Sequence, residues 1–296
     1  MSVLSKKLGV LDIGSNSVRA IVYADGKIVY RDLITSRLGE GLSSTRRMSA
    51  EAIARTVAAI SRLGEECRNH GAEEIYPFAT EAVRSADNTD EFLSLAENAG
   101  YAVEVIDGDE EGELGLLGAI DGGDGGIIDI GGASTEITAA QGGKIIYSHS
   151  LSLGAVRLKD MCGEDEVKLR EVIAGRLDEY GKIPSDVEYK FIGGTATSLC
   201  TAVKGINGYD PRVIDGKFLY AEELDKFLTD ARGLTPFERS QKYHITEKRA
   251  EIIIGGTFLI KMIYEKFGIK RTEISVNDNM LGYVRKRFLG HGYARE

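Results

Sequence analysis

An α/β fold built by internal duplication is what this 296-residue chain predicts, and two observations carry it. Segments 9–30 (GVLDIGSNSVRAIVYADGKIVY) and 126–147 (GIIDIGGASTEITAAQGGKIIY) match without a gap at an offset of 117 residues. Around them, short apolar runs that read as strands alternate with segments of helical period.

Each copy of the repeat reads as an apolar strand, a Gly/Ser-rich turn, a second strand, a DG or GG hairpin turn and a third strand. Asp12 answers Asp129, Gly14 answers Gly131 and Ser17 answers Ser134. After the first copy, Ser49 can cap a helix from Ala50 to about Arg68, with apolar residues at 53, 57, 60 and 63 and Gly71 beyond its end. A strand is expected at 75–79, a short helix at 80–86, a helix at 90–99, a strand at 102–106 and a helix at 110–120. Asp121–Gly126 holds four glycines in six residues and reads as a linker or hinge. It divides the chain into domains 1–123 and 124–296. The second half continues with a helix near 166–180, a strand at 189–192, helices near 197–203, 221–229 and 250–267, and a strand at 273–276. A last helix runs to about Phe288 and is a candidate for packing back on the first domain.

With 43% apolar residues the chain can bury a full core, and its length suits two domains. No stretch approaches the ~20 apolar residues of a membrane helix, and residues 1–8 hold no leader-like apolar run, so a cytoplasmic protein without a membrane partner is expected. Cys67, Cys162 and Cys200 are odd in number and far apart, and His70, His149, His244 and His291 are equally scattered, which suggests reduced thiols and no zinc site. A net charge of -9 argues against a nucleic-acid surface. An anionic substrate must then be met locally, by arginines, backbone N–H groups or a divalent cation.

Both repeat copies end an apolar strand on an Asp and follow it at once with small residues. Successive N–H groups in such a turn, joined by the hydroxyls of Ser15, Ser17, Ser134 and Thr135, make a cradle for phosphate oxygens. Ordinary hairpin turns with Asp bonded to its own backbone would read the same way, but two copies in register favour the phosphate reading. If the turns face each other across the hinge, Asp12 and Asp129 enter one cleft, where they could hold Mg²⁺ directly or through water. Gly193-Gly194-Thr195 follows a strand and opens a helix, a second place for phosphate or nucleotide, although many βα junctions are built alike.

Glu110 and Glu111 lie in an acidic helix start (DGDEEGE), where they complement the helix dipole. Either could also orient and deprotonate a water attacking a phosphoanhydride, a role worth roughly 10² to 10⁴ in rate. Arg84 and Arg19 could fork onto phosphate oxygens or lie solvated on the surface. Arg285-Lys286-Arg287 reads as a solvated, dipole-favoured helix end.

These residues resemble the exopolyphosphatase and guanosine pentaphosphate phosphohydrolase family, within the sugar kinase, Hsp70 and actin superfamily. The likeness runs through LDIGSNSVR (11–19), RLGEGL (37–42), ATEAVRSA (79–86), VIDGDEEGELGLLG (105–118), IIDIGGASTEI (127–137), SLGAVRL (152–158), FIGGTATSL (191–199) and KRAEIIIGG (248–256). It implies two ribonuclease H-like domains around a cleft, Mg²⁺ dependence, and release of orthophosphate from polyphosphate or from the 5' end of a guanosine pentaphosphate. By the same resemblance Glu111 is the base for water and Arg84 a catalytic arginine. The two turns, Gly14-Ser15-Asn16-Ser17 and Gly131-Gly132-Ala133-Ser134, bind phosphate together with Arg19, Gly193, Gly194 and Thr195. The family's metal-linked aspartate matches Asp129 and its acidic residue after the second turn matches Glu136, and Asp12 is expected to join them at the metal from its place in the cleft.

Three departures from the family pattern stand out. Ala133 replaces a glycine; at a positive φ its methyl would cost about 1 kcal/mol and displace the loop. Gly282 stands where the family often has an arginine, so Gly282→Arg is expected to raise affinity for phosphate chains. Longer members add a helical C-terminal region after the two domains. Two rivals accompany the hydrolase reading: a non-catalytic sensor of polyphosphate or an alarmone, suggested by Gly282, and an ATP-dependent kinase, which the paired glutamates disfavour. The sequence leaves open both the phosphorylated ligand and the oligomeric state, a homodimer being compatible with it.

Overall fold

The computed structural model describes residues 6–294, so the leader-free reading of residues 1–5 lies outside the described residues. The first half is β1 (Leu8–Ile13), β2 (Ser17–Ala24), β3 (Lys27–Thr35), α1 (Leu42–Thr45), α2 (Ala50–Asn69), β4 (Glu74–Ala79), α3 (Glu81–Arg84), α4 (Thr89–Asn98), β5 (Glu104–Val105) and α5 (Gly108–Ile120). Its sheet has the order β3-β2-β1-β4-β5, with β1 antiparallel to β2 and parallel to β4.

The second half begins with β6 (Gly125–Ile130), β7 (Thr135–Gln141) and β8 (Lys144–Leu151), then α6 (Ala155–Cys162), α7 (Glu166–Leu177), β9 (Tyr189–Ile192) and α8 (Gly193–Val203). It continues with α9 (Pro211–Ile214), β10 (Phe218–Tyr220), α10 (Ala221–Ala231), α11 (Pro236–Tyr243), α12 (Glu247–Ala250), α13 (Ile253–Phe267), β11 (Arg271–Ile274) and α14 (Asn279–Phe288). The order β10-β11-β9-β6-β7-β8 repeats the first sheet and adds β10 at one edge. This is a duplicated ribonuclease H-like, actin-like architecture.

The duplication extends to fine geometry. Asp25 and Gly26 in one hairpin, and Gly142 and Gly143 in the other, take the paired left-handed conformation that a two-residue turn needs to match strand twist. Both copies then shift register at the same place, between Val22 and Tyr23 and between Ala139 and Ala140. Ser49 caps α2 by accepting from the Ala52 N–H, and the face carrying Ile53, Ile60 and Leu63 is buried on the first sheet.

Two helices tie the halves together. α5 packs on β6, β7 and β8 of the second sheet, while α14 packs on β1 and β2 of the first. In the core under α14, Phe78 stacks on Tyr283 at 5.1 Å, and full burial of such a ring is worth about 1.5–3 kcal/mol. α5 and α14 touch backbone to backbone. A Cβ on Gly118 would lie 2.1 Å from the Asp278 carbonyl oxygen, and one on Gly282 would lie 1.8 Å from that of Leu114.

That contact corrects the reading of Gly282. The position has no room for a methyl, much less a guanidinium, so the glycine lets two helices cross and leaves no vacancy for an arginine. Gly282→Arg is therefore expected to disrupt the crossing rather than to raise affinity, and the sensor reading loses its one observation. The cluster 285–287 is corrected too. Arg285 donates to the carbonyls of Leu117 and Gly118, Lys286 pairs with Glu110 and Glu113, and Arg287, though still exposed, pairs with Glu104 and Glu110, so the basic run also clamps α5.

Candidate active site

The Gly/Ser turns of the two copies fold alike, each closed by a hydrogen bond from its first glycine to the serine three residues on: Gly14 N to Ser17 O and Gly131 N to Ser134 O, both 3.0 Å. They face each other so closely that a Cβ on Gly132 would come within 2.8 Å of the Ser15 Cβ. Between them lies a cavity of 60 Å³ lined by Asp12, Gly14, Ser15, Asn16, Ser17, Arg19, Thr80, Glu111, Asp129, Gly131, Gly132, Ala133, Ser134, Gly193, Gly194, Arg249 and Asn279. At roughly 10–15 Å³ per water, this is space for about four to six water-sized groups, the scale of one phosphoryl group.

The structure therefore gathers most of the sequence-derived candidates, with five exceptions. Thr135 is buried off the cavity, its hydroxyl donating to the Leu153 carbonyl at 2.6 Å. Thr195 is buried away from the cavity, its methyl turned toward Gly256 of α13. Glu136 does not line the cavity: one carboxylate oxygen accepts from Ser150 Oγ at 2.7 Å and the other is buried without a partner. Arg84 stands behind Glu111, 3.4 Å from its carboxylate, rather than on the cavity wall. Glu110 turns outward to Lys286 and Arg287, so of the two glutamates only Glu111 reaches the cavity. The expectation for Ala133 also needs correction. Its φ is not positive, so the methyl carries no left-handed strain, and its carbonyl accepts from Arg157 Nε at 3.0 Å.

The strand ends set the charges. Asp12 faces Arg19 across the β1–β2 pair, and the Arg19 guanidinium is bound by Asp12 and Asp278. Burial opposes the charge of Arg19, but Asp12, Asp278 and Asp129 around it hold its pKa above the ordinary value. Asp129 instead faces Glu136 across β6–β7. Burial, with the nearby Asp278 and Asp12, raises Asp129 to about 7 against the pull of Arg19. Burial and Asp129 raise Glu136 to about 8. Glu111 is pushed well above the usual range by burial and Glu136, with Arg84 opposing.

A divalent cation would answer this surplus of buried acid. Among the described residues no group of three His, Cys, Asp or Glu side chains could hold a metal alone. Mg²⁺ is commonly held by one or two carboxylates with substrate phosphates completing its shell, so a buried carboxylate on a phosphate cavity fits it. Asp129 supplies that carboxylate and accepts from Asn279 Nδ2 at 3.4 Å, while the Asn279 Oδ1 faces Gly115 of α5. Asp12 is already neutralised by Arg19.

Arg249, Asn279 and Thr80 line the cavity but were not singled out from the sequence. Arg249 lies over the glycine turn, its Nη2 placed 2.3 Å from where a Gly194 Cβ would sit, and burial beside the charge of Arg19 lowers its pKa to about 10. Gly193 needs both its positive φ of 86° and its missing side chain, because a Cβ would meet the Asp129 carboxylate. Beyond Arg19, Gly193, Gly194 and Arg249, which it shares with the small cavity, opens a chamber of 620 Å³. Leu33, Tyr209, Pro211, Ile245 and Met280 give it apolar walls, with Arg31 and His244 at its lining.

Two duplicated halves that bring paired Gly/Ser turns together over buried carboxylates have the architecture of a protein that handles phosphate. More narrowly, the chain belongs to the Ppx/GppA phosphatase family, whose profile matches residues 18–277. It is similar to Exopolyphosphatase 2 of Mycobacterium tuberculosis, with 29% identity over 309 residues covering 93% of this chain and 97% of that one. It is also similar to the Guanosine-5'-triphosphate,3'-diphosphate pyrophosphatase of Aeromonas hydrophila, with 26% identity over 88% of this chain and 55% of that protein. The crystal structure of the Aquifex aeolicus member of the family superposes with a TM-score of 0.77 at 26% identity, covering 98% of this chain and 99% of the other. Among the described residues no helix is long and apolar enough to cross a membrane.

Proposed function

We propose that the protein is an exopolyphosphatase-type hydrolase that releases orthophosphate from the end of inorganic polyphosphate by attack of a water activated by Glu111. The observation that carries this reading is the placement of the Glu111 carboxylate on a cavity of phosphoryl size walled by both turns. Membership of a phosphatase family and the likeness to an exopolyphosphatase support it.

The terminal phosphoryl group sits between the turns at 14–17 and 131–134, held by backbone N–H groups and serine hydroxyls. Glu111 accepts a proton from the water as its oxygen bonds to phosphorus, and the bond to the bridging oxygen breaks toward the rest of the chain. Burial and the nearby Glu136 make Glu111 a stronger proton acceptor than an ordinary glutamate, and Arg84 opposes that shift. Arg249, at the junction of cavity and chamber, is placed to meet the charge of the departing chain. Asp129 would hold Mg²⁺, with Asp12 near enough to contribute through water; the ion when bound would offset negative charge on phosphate oxygens.

The 620 Å³ chamber favours a second reading, hydrolysis of the 5'-terminal phosphate of a guanosine pentaphosphate. A bare phosphate chain has no use for walls of Leu33, Tyr209 and Ile245, whereas a base and ribose do. Incubation with polyphosphate or guanosine pentaphosphate in the absence of any acceptor, with and without Mg²⁺, tests both. Orthophosphate release is expected with the metal. Transfer of the phosphoryl group to a supplied acceptor, with no orthophosphate released, would instead point to a kinase.

A further inference from the structure

Glu81 belongs to none of the roles above, yet it is a carboxylate only 6% exposed, on the four-residue helix α3. One of its oxygens accepts from Arg84 Nη2 at 2.8 Å. The other accepts from Ser152 Oγ at 2.7 Å and lies 3.5 Å from Arg157 Nη2. Ser152 and Arg157 come from the opposite wall of the cleft, and Arg157 also holds the Ala133 carbonyl of the second phosphate turn. Arg84 in turn donates to the Ile106 carbonyl at 2.5 Å and reaches Glu111 at 3.4 Å. An unbroken polar chain thus leads from the second turn through Arg157, Glu81 and Arg84 to Glu111.

We infer that Glu81 is a positioning residue that sets Arg84 beside Glu111 while the two walls of the cleft are docked. The physical reason lies in how its two oxygens are divided. With one oxygen committed to Ser152 and Arg157, Glu81 can offer Arg84 only the other, and the rest of the guanidinium remains free to face Glu111. Released from the second wall, both oxygens could take the Arg84 fork as a bidentate pair, the geometry that arginine and carboxylate favour, and draw it from Glu111. Glu81 therefore reports docking of the second phosphate turn to the residue that activates water. It does not touch the substrate, because it is absent from the cavity wall.

The inference rests on the roles proposed for Glu111 and Arg84, and the test separates the two. Steady-state hydrolysis of polyphosphate is measured for Glu81→Gln, Arg84→Ala, the double variant and Ser152→Ala, with thermal melting as a check on folding. Glu81→Gln is expected to lower kcat about tenfold with KM within about twofold. Its cost should vanish to less than about twofold in the Arg84→Ala background, since residues acting through one another are not additive. Ser152→Ala, which removes only one contact from the far wall, is expected to lower kcat about threefold. A Glu81→Gln protein with parental kcat beside an inactive Arg84→Ala would overturn the inference, as would costs that multiply in the double variant. If Glu81→Gln does not fold, an unchanged kcat in Ser152→Ala overturns it alone. Full turnover in Arg84→Ala would overturn the role of Arg84 itself, and the inference with it.

Discussion

The two copies of the repeated hairpin share turn, hairpin conformation and bulge, but differ at one decisive pair. In the first copy the strand-end Asp12 faces Arg19, which also binds Asp278, and its charge is answered. In the second copy, Glu136 occupies the position equivalent to Arg19, and Asp129 faces a second acid. The first hairpin pairs its acid with an arginine, although burial and Asp278 still raise Asp12, while the second holds two buried carboxylates with no such partner, pushed to about 7 and about 8. The duplicated backbone supplies two like turns, and under the proposed function the exchange of Arg19 for Glu136 would make the second the place for a cation. Glu111 comes to that second side because α5, although encoded in the first half, packs on the second sheet.

The sharpest way to break this comparison is to neutralise each aspartate in turn. Asp129→Asn is expected to lower turnover by on the order of 10³ and to weaken divalent-cation binding in a direct titration, because the ion loses its buried anionic ligand. Asp12→Asn is expected to cost only about tenfold in turnover but to lower the melting temperature, since Arg19 then keeps Asp278 alone as its direct partner. Equal losses in both variants would mean that the copies share the metal evenly.

Stability against pH sharpens the same contrast. Asp129 and Glu136 have folded pKa values of about 7 and about 8, above their ordinary 3.8 and 4.5. Between those limits the folded protein binds more protons than the unfolded chain, so these groups favour the fold at low pH and lose that contribution as pH rises. The metal-free protein should melt several degrees lower near pH 9 than near pH 5, and Asp129→Asn should flatten the difference. A variant that keeps the full slope would place the titration elsewhere. The smallest effect is expected from Glu136→Gln, which should lower turnover by less than about tenfold, because Glu136 lies behind the cavity and is bonded to Ser150. A loss as large as that of Asp129→Asn would put Glu136 among the direct ligands.

Much of this could be read from the sequence where a local pattern carried it. Repetition exposed both turns, and Ser49, Asp25-Gly26 and Gly142-Gly143 announced their cap and hairpins through chemistry confined to a few residues. The pattern DGDEEGE could not separate Glu110 from Glu111; only the winding of α5, with Lys286 and Arg287 on its outer side, does so. Arg249 and Asn279 reach the cavity through long-range packing that no nearby residue signals. Gly282 was misread because a family pattern was taken for a vacancy, when the cause is a backbone contact with Leu114 far away in sequence. Helix α11 had a legible signal that went unused: Thr235 and Glu238 form a capping box and Pro236 opens the first turn. Helix α6 starts after Gly154 with no side-chain cap and offered none.

The most direct test of the account is a comparison of the parent protein with Glu111→Gln on purified polyphosphate, with orthophosphate release and chain binding both measured. The amide keeps the shape of Glu111 and removes its proton acceptor. The account predicts that the variant folds, binds the chain as the parent does, and releases phosphate at least ~10² times more slowly. A folded variant that binds the chain and keeps parental turnover would contradict it, and the water would have to be activated by another group.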